Sequence, residues 1–177
     1  MTTNNLSINA QSEDTALSKA RQVEPLLKLI VFAMGNLTLA LRIESVYKVV
    51  NHTPVHSSGA NHVGVAHLGE LEVTVVDLYK RFFKSNQSSA FATGGYLVIV
   101  KNTTGELYGI PVPETPTLVE VPLSLLRVLP ESYRRADTLE VASHVAVFPH
   151  EGTQLTVFLL DVDLLLPVFQ ELTAATQ

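Results

Sequence analysis

Six histidines, a carboxylate group near residue 70 and aspartates at the ends of two apolar runs are the side chains in this chain with chemistry to offer. The histidines are His52, His56, His62, His67, His144 and His150. Zinc or iron requires three or four ligands in fixed geometry. His52 and His56 flank Pro54 in a loop-like segment, and neither His-x-His nor His-Glu-x-x-His occurs. A β-barrel metal-binding enzyme using surface histidines, with ligands collected from separate strands, stands as an alternative. The plainer reading places the histidines in solvent-facing loops, with His67 and His144 on strands.

Glu70, Glu72 and Asp77 have the right chemistry for an acid/base pair. Their spacing argues otherwise. Glu70 and Glu72 are i,i+2 in an alternating strand and share its solvated face. Asp77 ends that strand and is placed to cap the following LYKRFF as a helix, and Asp161 or Asp163 does the same for DLLLPVF. The chain lacks the Gly-x-Ser-x-Gly of a serine nucleophile, and Gly94-Gly95 is not followed by Lys-Ser or Lys-Thr as in a phosphate loop. Without cysteine there is no disulfide framework, thiolate zinc site or cysteine nucleophile. Lys80, Arg81 and Lys84 read as a solvated helix face, too small for a nucleic-acid footprint.

The elements that must position these residues are mainly strands. LKLIVFAM and LTLALRI flank Gly35-Asn36 as a hairpin, with Leu37, Leu39, Leu41 and Ile43 on one face and Thr38, Ala40 and Arg42 on the other. SVYKVV is extended, and NHTPVHSSGANH is a loop. VGVAHL and ELEVTVV are further strands, and SNQSSAFATGG is a second, mobile loop. YLVIVKN and ELYGIPV form a hairpin around Asn102-Thr103-Thr104-Gly105. TPTLVEVP, bounded by Pro113 and Pro116, is an edge or bulge. SLLRVLPESYRRADT is irregular, with at most one helical turn. LEVASHVAVF and QLTVFLL are strands joined through Gly152, and DVDLLLPVFQELTAAT is a closing helix bent at Pro167. VTVVDLYKRFF and LTVFLLDVDLLLPVF both run strand, Asp, helix, which suggests two barrels built alike.

The bulk composition agrees. Hydrophobic residues make up 46% of the 177-residue chain and charged residues 16%, enough for a core. The net charge of −5 disfavours nucleic acid and anionic membranes. Residues 1–24 read as a flexible polar tail, in which TALSKARQVEPLLK forms a helix only if docked. Residues 25–172 form the folded domain and 173–177 a C-terminal tail. The start has no apolar signal core and no run spans a bilayer, so a soluble, cytoplasmic protein without membrane insertion is expected. Rich in strands and poor in catalytic groupings, the chain reads as a binding module. A structural assembly subunit is a further alternative.

The order of these pieces resembles the CheW family, adaptors of bacterial chemosensory arrays, from about Lys28 to Pro167. LIVFAMGNLTLALRIESVYKVV is similar to the family's first hairpin and extended segment, and GVAHLGELEVTVVDLYKRFF to its Gly-Val-…-Leu-…-Val-…-Asp-Leu run. YLVIVKNTTGELYGIPV resembles the hairpin opening the second half, and LTVFLLDVDLLL the closing strand and helix. The resemblance implies two five-stranded β-barrel subdomains around a shared apolar seam, with no catalysis and no cofactor. It implies a surface of the first barrel for the regulatory domain of a CheA-type histidine kinase, and a groove between the barrels for the cytoplasmic tip of a methyl-accepting chemoreceptor. The kinase surface falls on Val46, Lys48, Val49, Leu68, Gly69 and Glu70. The chain departs from the family at three places. His67-Leu68-Gly69-Glu70 replaces Asn-Leu-Arg-Gly, so an Arg is lost at Gly69. Lys48 replaces the Glu of Val-x-Glu-Val, and Val112-Pro113 replaces Val-Asp. Losing a cation and inverting an acid changes which charged partner is accepted.

Overall fold

A computed structural model of the chain describes residues 23–51, 53–57, 62–83, 94–135 and 139–165. Most of the expected tail helix, most of both long loops, the bend at Pro167 and the tail 173–177 lie outside them, and the end of that expected helix, residues 23–28, is instead irregular chain running into a strand from Leu26. Twelve strands form two six-stranded sheets among the described residues. The first contains β3 (Val46–Asn51), β4 (Val55–Ser57), β5 (Val63–Leu68), β6 (Leu71–Val76), β7 (Tyr96–Lys101) and β8 (Leu107–Val112), in the order β3-β7-β8-β6-β5-β4. The second contains β9 (Thr117–Pro122), β10 (Leu126–Val128), β11 (Ala142–His150) and β12 (Thr153–Leu160) with β1 (Leu26–Met34) and β2 (Leu37–Arg42), in the order β10-β11-β12-β2-β1-β9.

The two-barrel fold implied by the family resemblance holds, with six strands per sheet where five were expected. The extra strands are the three-residue edges β4 and β10. A run of three residues is too short to show a two-residue period, and both lie in segments whose Pro and Ser content read as irregular.

The faint repeat in the sequence is a repeat of topology. Each sheet has one parallel contact: Val75 of β6 pairs with Gly109 of β8, and Leu159 of β12 pairs with Ala40 of β2. Laid on one another, the sheet orders match β3 to β9, β4 to β10, β5 to β11, β6 to β12, β7 to β1 and β8 to β2. The chain therefore traces one pattern twice. Its opening hairpin completes the second sheet, and the β7–β8 hairpin completes the first.

Each sheet closes around its own core. All six strands of the second sheet contribute to one cluster, which includes Leu29, Ala40, Val121, Leu126, Phe148 and Val157. All six of the first contribute to another, which includes Val50, Val55, Ala66, Val73, Leu97 and Leu107. The largest cluster joins the barrels and takes Phe32, Met34, Leu39 and Leu41 from one side and Val98, Val100, Tyr108 and Ile110 from the other. Strands β1, β2, β7, β8 and β12 thus contribute to two clusters, which is why LIVFAM, YLVIV and VFLL are unbroken apolar runs. Ala40 belongs to this pattern. Alternation placed it on the polar face with Thr38 and Arg42, yet it is fully buried inside the second barrel while Leu39 and Leu41 face the seam.

The turns use the residues expected of them. Gly35 adopts a φ of +60° between Met34 and its partner Leu37. Asn102 is buried and closes the β7–β8 turn, its Oδ1 accepting from the Glu106 amide at 2.7 Å and from Thr104 Oγ1 at 2.9 Å. Three short helices follow strands or turns: α1 (Leu78–Phe83), α2 (Glu131–Arg134) and α3 (Val162–Leu165).

Candidate interaction surfaces

The carboxylates serve the architecture. Asp77, only 4% exposed, accepts from the Lys80 amide at 3.0 Å and caps α1. Burial pushes its carboxyl above the usual range, opposed by the Lys80 amide bond, the Lys80 charge, the Tyr79 amide bond and the His62 charge. Asp161 caps α3 by accepting from the Asp163 amide at 3.0 Å. Asp163 is not a cap: its Oδ1 reaches the first barrel and accepts from Thr103 N at 3.0 Å and Thr103 Oγ1 at 2.8 Å. Glu70 and Glu72 are exposed, as their spacing required.

The histidines scatter. His56 and His67 approach with ring centroids 6.2 Å apart on neighbouring strands. His144 Nδ1 lies 2.8 Å from Ser143 Oγ, and His150 packs its ring edge-on to Phe148. His62 stands beside α1, where its carbonyl accepts from the Asp77 amide at 2.7 Å. No group of three or more His, Asp or Glu side chains is arranged to hold a metal ion among the described residues.

One residue departs from the solvated basic face expected of α1. The Arg81 side chain is only 8% exposed and pairs with Glu140, which precedes β11 in the second barrel. The reason is tertiary: α1 packs into the seam, so Arg81 meets protein rather than water, while Lys80 is half-buried and Lys84 lies outside the described residues. Periodicity could not show this, because six residues hold fewer than two helical turns.

The residues expected to bind a kinase fall on two parts of the first barrel. Val46, Lys48 and Val49 lie on β3, the edge strand that pairs with β7. Val46 is half-buried, and Lys48 and Val49 are exposed beside the exposed ring of Tyr47, which the Lys48 ammonium overlies at 5.9 Å. Leu68, Gly69 and Glu70 belong to the β5–β6 hairpin. Leu68 packs on the barrel core, and Gly69 takes a φ of +65° with open space where a Cβ would project. In sheet order β7 and β8 stand between β3 and this hairpin. An edge strand with an apolar and cationic face is a physical docking element, since its outer backbone groups lack a ladder partner.

The sequence did not show which residues line a second surface. A cleft of about 420 Å³ opens where the second barrel meets the β7–β8 turn. Its apolar walls include Leu27, Leu123, Leu126 and Leu159, and its acidic side is Asp161 and Asp163. These residues come from three separate segments, so no local pattern announces them.

With this geometry in view, comparison with known proteins is informative. The model of the CheW-like domain family matches residues 28–169. Among solved structures, the fold is similar to the scaffolding protein TtCheW from Thermoanaerobacter tengcongensis, with a TM-score of 0.62 and 16% sequence identity, over 80% of this chain and 88% of that one. No curated protein matches the chain by sequence.

Proposed function

The chain belongs to the CheW-like domain family, and from that premise we propose that it is a non-enzymatic scaffold coupling a CheA-type histidine kinase to chemoreceptors in chemotaxis, phototaxis or pilus-motility signalling. The family match over residues 28–169 carries this reading. The surface supports it: Asp77 and Asp161 cap helices, Asp163 bridges the barrels and Glu70 and Glu72 face solvent, whereas exposed apolar side chains collect on edges and around a cleft.

The kinase regulatory domain docks on the first barrel through Val46, Lys48, Val49, Leu68, Gly69 and Glu70. The receptor tip docks in the cleft at the barrel junction. Both partners meet the scaffold in the cytoplasm. No described helix is long and apolar enough to cross a membrane.

Calorimetric titration of the purified chain with the regulatory domain of each CheA-type kinase encoded in the same genome tests the proposal. Saturable binding to at least one is expected. Absence of binding to all of them, at protein concentrations well above those of ordinary signalling complexes, would remove the scaffold assignment.

A further inference from the structure

The chain enters the fold on the rim of the cleft. Pro25 O accepts from the Leu123 amide at 3.0 Å, and Glu24 Oε1 accepts from the Ser124 amide at 3.1 Å. Two residues later Leu27 lines the cleft beside Leu123 and Leu126, and Leu123 is half exposed. Whatever precedes Val23 is thus tethered at the mouth of an apolar cleft with Asp161 and Asp163 on its wall.

The preceding sequence has matching chemistry. TALSKARQV, residues 15–23, carries Lys19 and Arg21 and no acid. Ala16, Leu17 and Ala20 share one face at helical spacing. The six steps from Leu17 to Val23 span about 9 Å as helix or about 20 Å extended, enough to enter a cleft that begins at their anchor. On the cleft lining Arg42 pairs with Glu44 at 3.6 Å, and Asp161 and Asp163, which also accept hydrogen bonds within the chain, are the two acids.

We infer that residues 15–23 dock in this cleft in cis, with Leu17 against Leu123 and Leu126 and with Lys19 and Arg21 toward Asp161 and Asp163. The tether favours this occupant over a second copy, because a short linker holds the segment at an effective concentration of order millimolar. The docking goes beyond the scaffold assignment and does not require it. If the scaffold assignment also holds, the segment and the receptor tip share one surface.

The absence of cysteine makes the test clean. Ala16→Cys is combined with Ser45→Cys, a near-isosteric change on the cleft lining, and the pair is joined with a short bismaleimide. Leu123→Cys on the exposed rim replaces Ser45→Cys if that variant does not fold. An intramolecular cross-link in the monomer is expected. Adding Lys19→Glu and Arg21→Glu should slow it about fivefold, as loss of two weakly screened charge contacts implies, and Leu17→Asp should slow it similarly. The control pair Ala16→Cys with Val147→Cys, on the outer face of β11, should be insensitive to these changes. A cleft cross-linking rate unaffected by charge reversal would mean that the tether alone brings the sites together, and would overturn the inference. So would covalent dimers as the main product, which would assign the cleft to a second copy.

Discussion

Arg81 on α1 donates to Glu140 at 2.5 Å, joining the helix that ends β6 to the segment that begins β11, 59 residues later. The repeat supplies a counterpart: Asp163 on α3, which follows β12, accepts from Thr103 in the β7–β8 turn. Each barrel ends in a short capped helix, and each helix is bound by a polar group of the other barrel. The seam is therefore apolar in its middle and polar at these two contacts.

Glu140→Ala should destabilise the protein by about 1–3 kcal/mol, less than for a fully buried pair because Glu140 is 52% exposed. The loss comes chiefly from stranding the Arg81 guanidinium, whose Nη1 is already buried without a hydrogen-bond partner. Adding Arg81→Met should restore part of the stability by removing the stranded charge. Urea denaturation of the single and double variants checks this; a double variant weaker than Glu140→Ala alone would contradict it.

Tyr108→Phe should cost about 1–2 kcal/mol, because it leaves the Val162 carbonyl without its phenol donor inside the seam. Burial, with Asp163 and Asp161 nearby, pushes the Tyr108 phenol far above its usual range. Its phenolate absorbance should therefore appear only when alkali unfolds the protein, which a spectrophotometric titration followed alongside circular dichroism would show.

Stability should fall as the pH drops below about 6.5. Burial, and then the Arg81 charge, hold the His62 imidazole below the usual histidine value of 6.5, against a smaller opposing effect of Asp77. A depressed histidine keeps its contribution above the unfolded pKa and loses it as the pH falls toward the folded one, with a slope below about 1.4 kcal/mol per pH unit. Asp77 has the opposite sign: its raised carboxyl favours the fold below pH 3.8 and loses that contribution as the pH rises through the folded pKa. His62→Gln keeps the carbonyl that accepts from the Asp77 amide and should flatten the profile near pH 6. An unchanged slope in thermal melts across this range would exclude His62 as its source.

Gly69→Arg should fold, since nothing lies within 4 Å of the added Cβ. The left-handed φ of +65° sets a cost of about 1–2 kcal/mol. Combined with Lys48→Glu, it should shift binding toward a kinase whose own adaptor carries Arg and Glu at the matching positions. The ratio of affinities for that kinase and the native one is the readout, and a ratio equal to that of the parent protein would take positions 48 and 69 out of the kinase surface.

Gly35→Ala should destabilise by more than Gly69→Ala. Both glycines are left-handed, but at Gly35 the new Cβ would meet the Phe83 ring at 2.7 Å. Phe83→Leu should narrow the gap between the two glycine variants in a thermal melt; a gap of the same size would mean that the ring is not the obstacle.

Features set by neighbouring residues were legible in the chain itself. Gly35-Asn36 between apolar runs announced a hairpin, Asp77 before LYKRFF announced a cap, and the exposure of Glu70 and Glu72 followed from strand alternation. The order of such pieces was enough to point to the CheW-like family. What alternation cannot report is what covers a buried face. Ala40 is inside one barrel while Leu39 and Leu41 face the other, Arg81 is nearly buried by a barrel 59 residues away, and Leu27, Leu123 and Leu159 share a cleft. Each of these depends on the opening hairpin crossing to complete the second sheet. That pairing is made by backbone hydrogen bonds between distant segments, and it was decided only when the chain closed on itself.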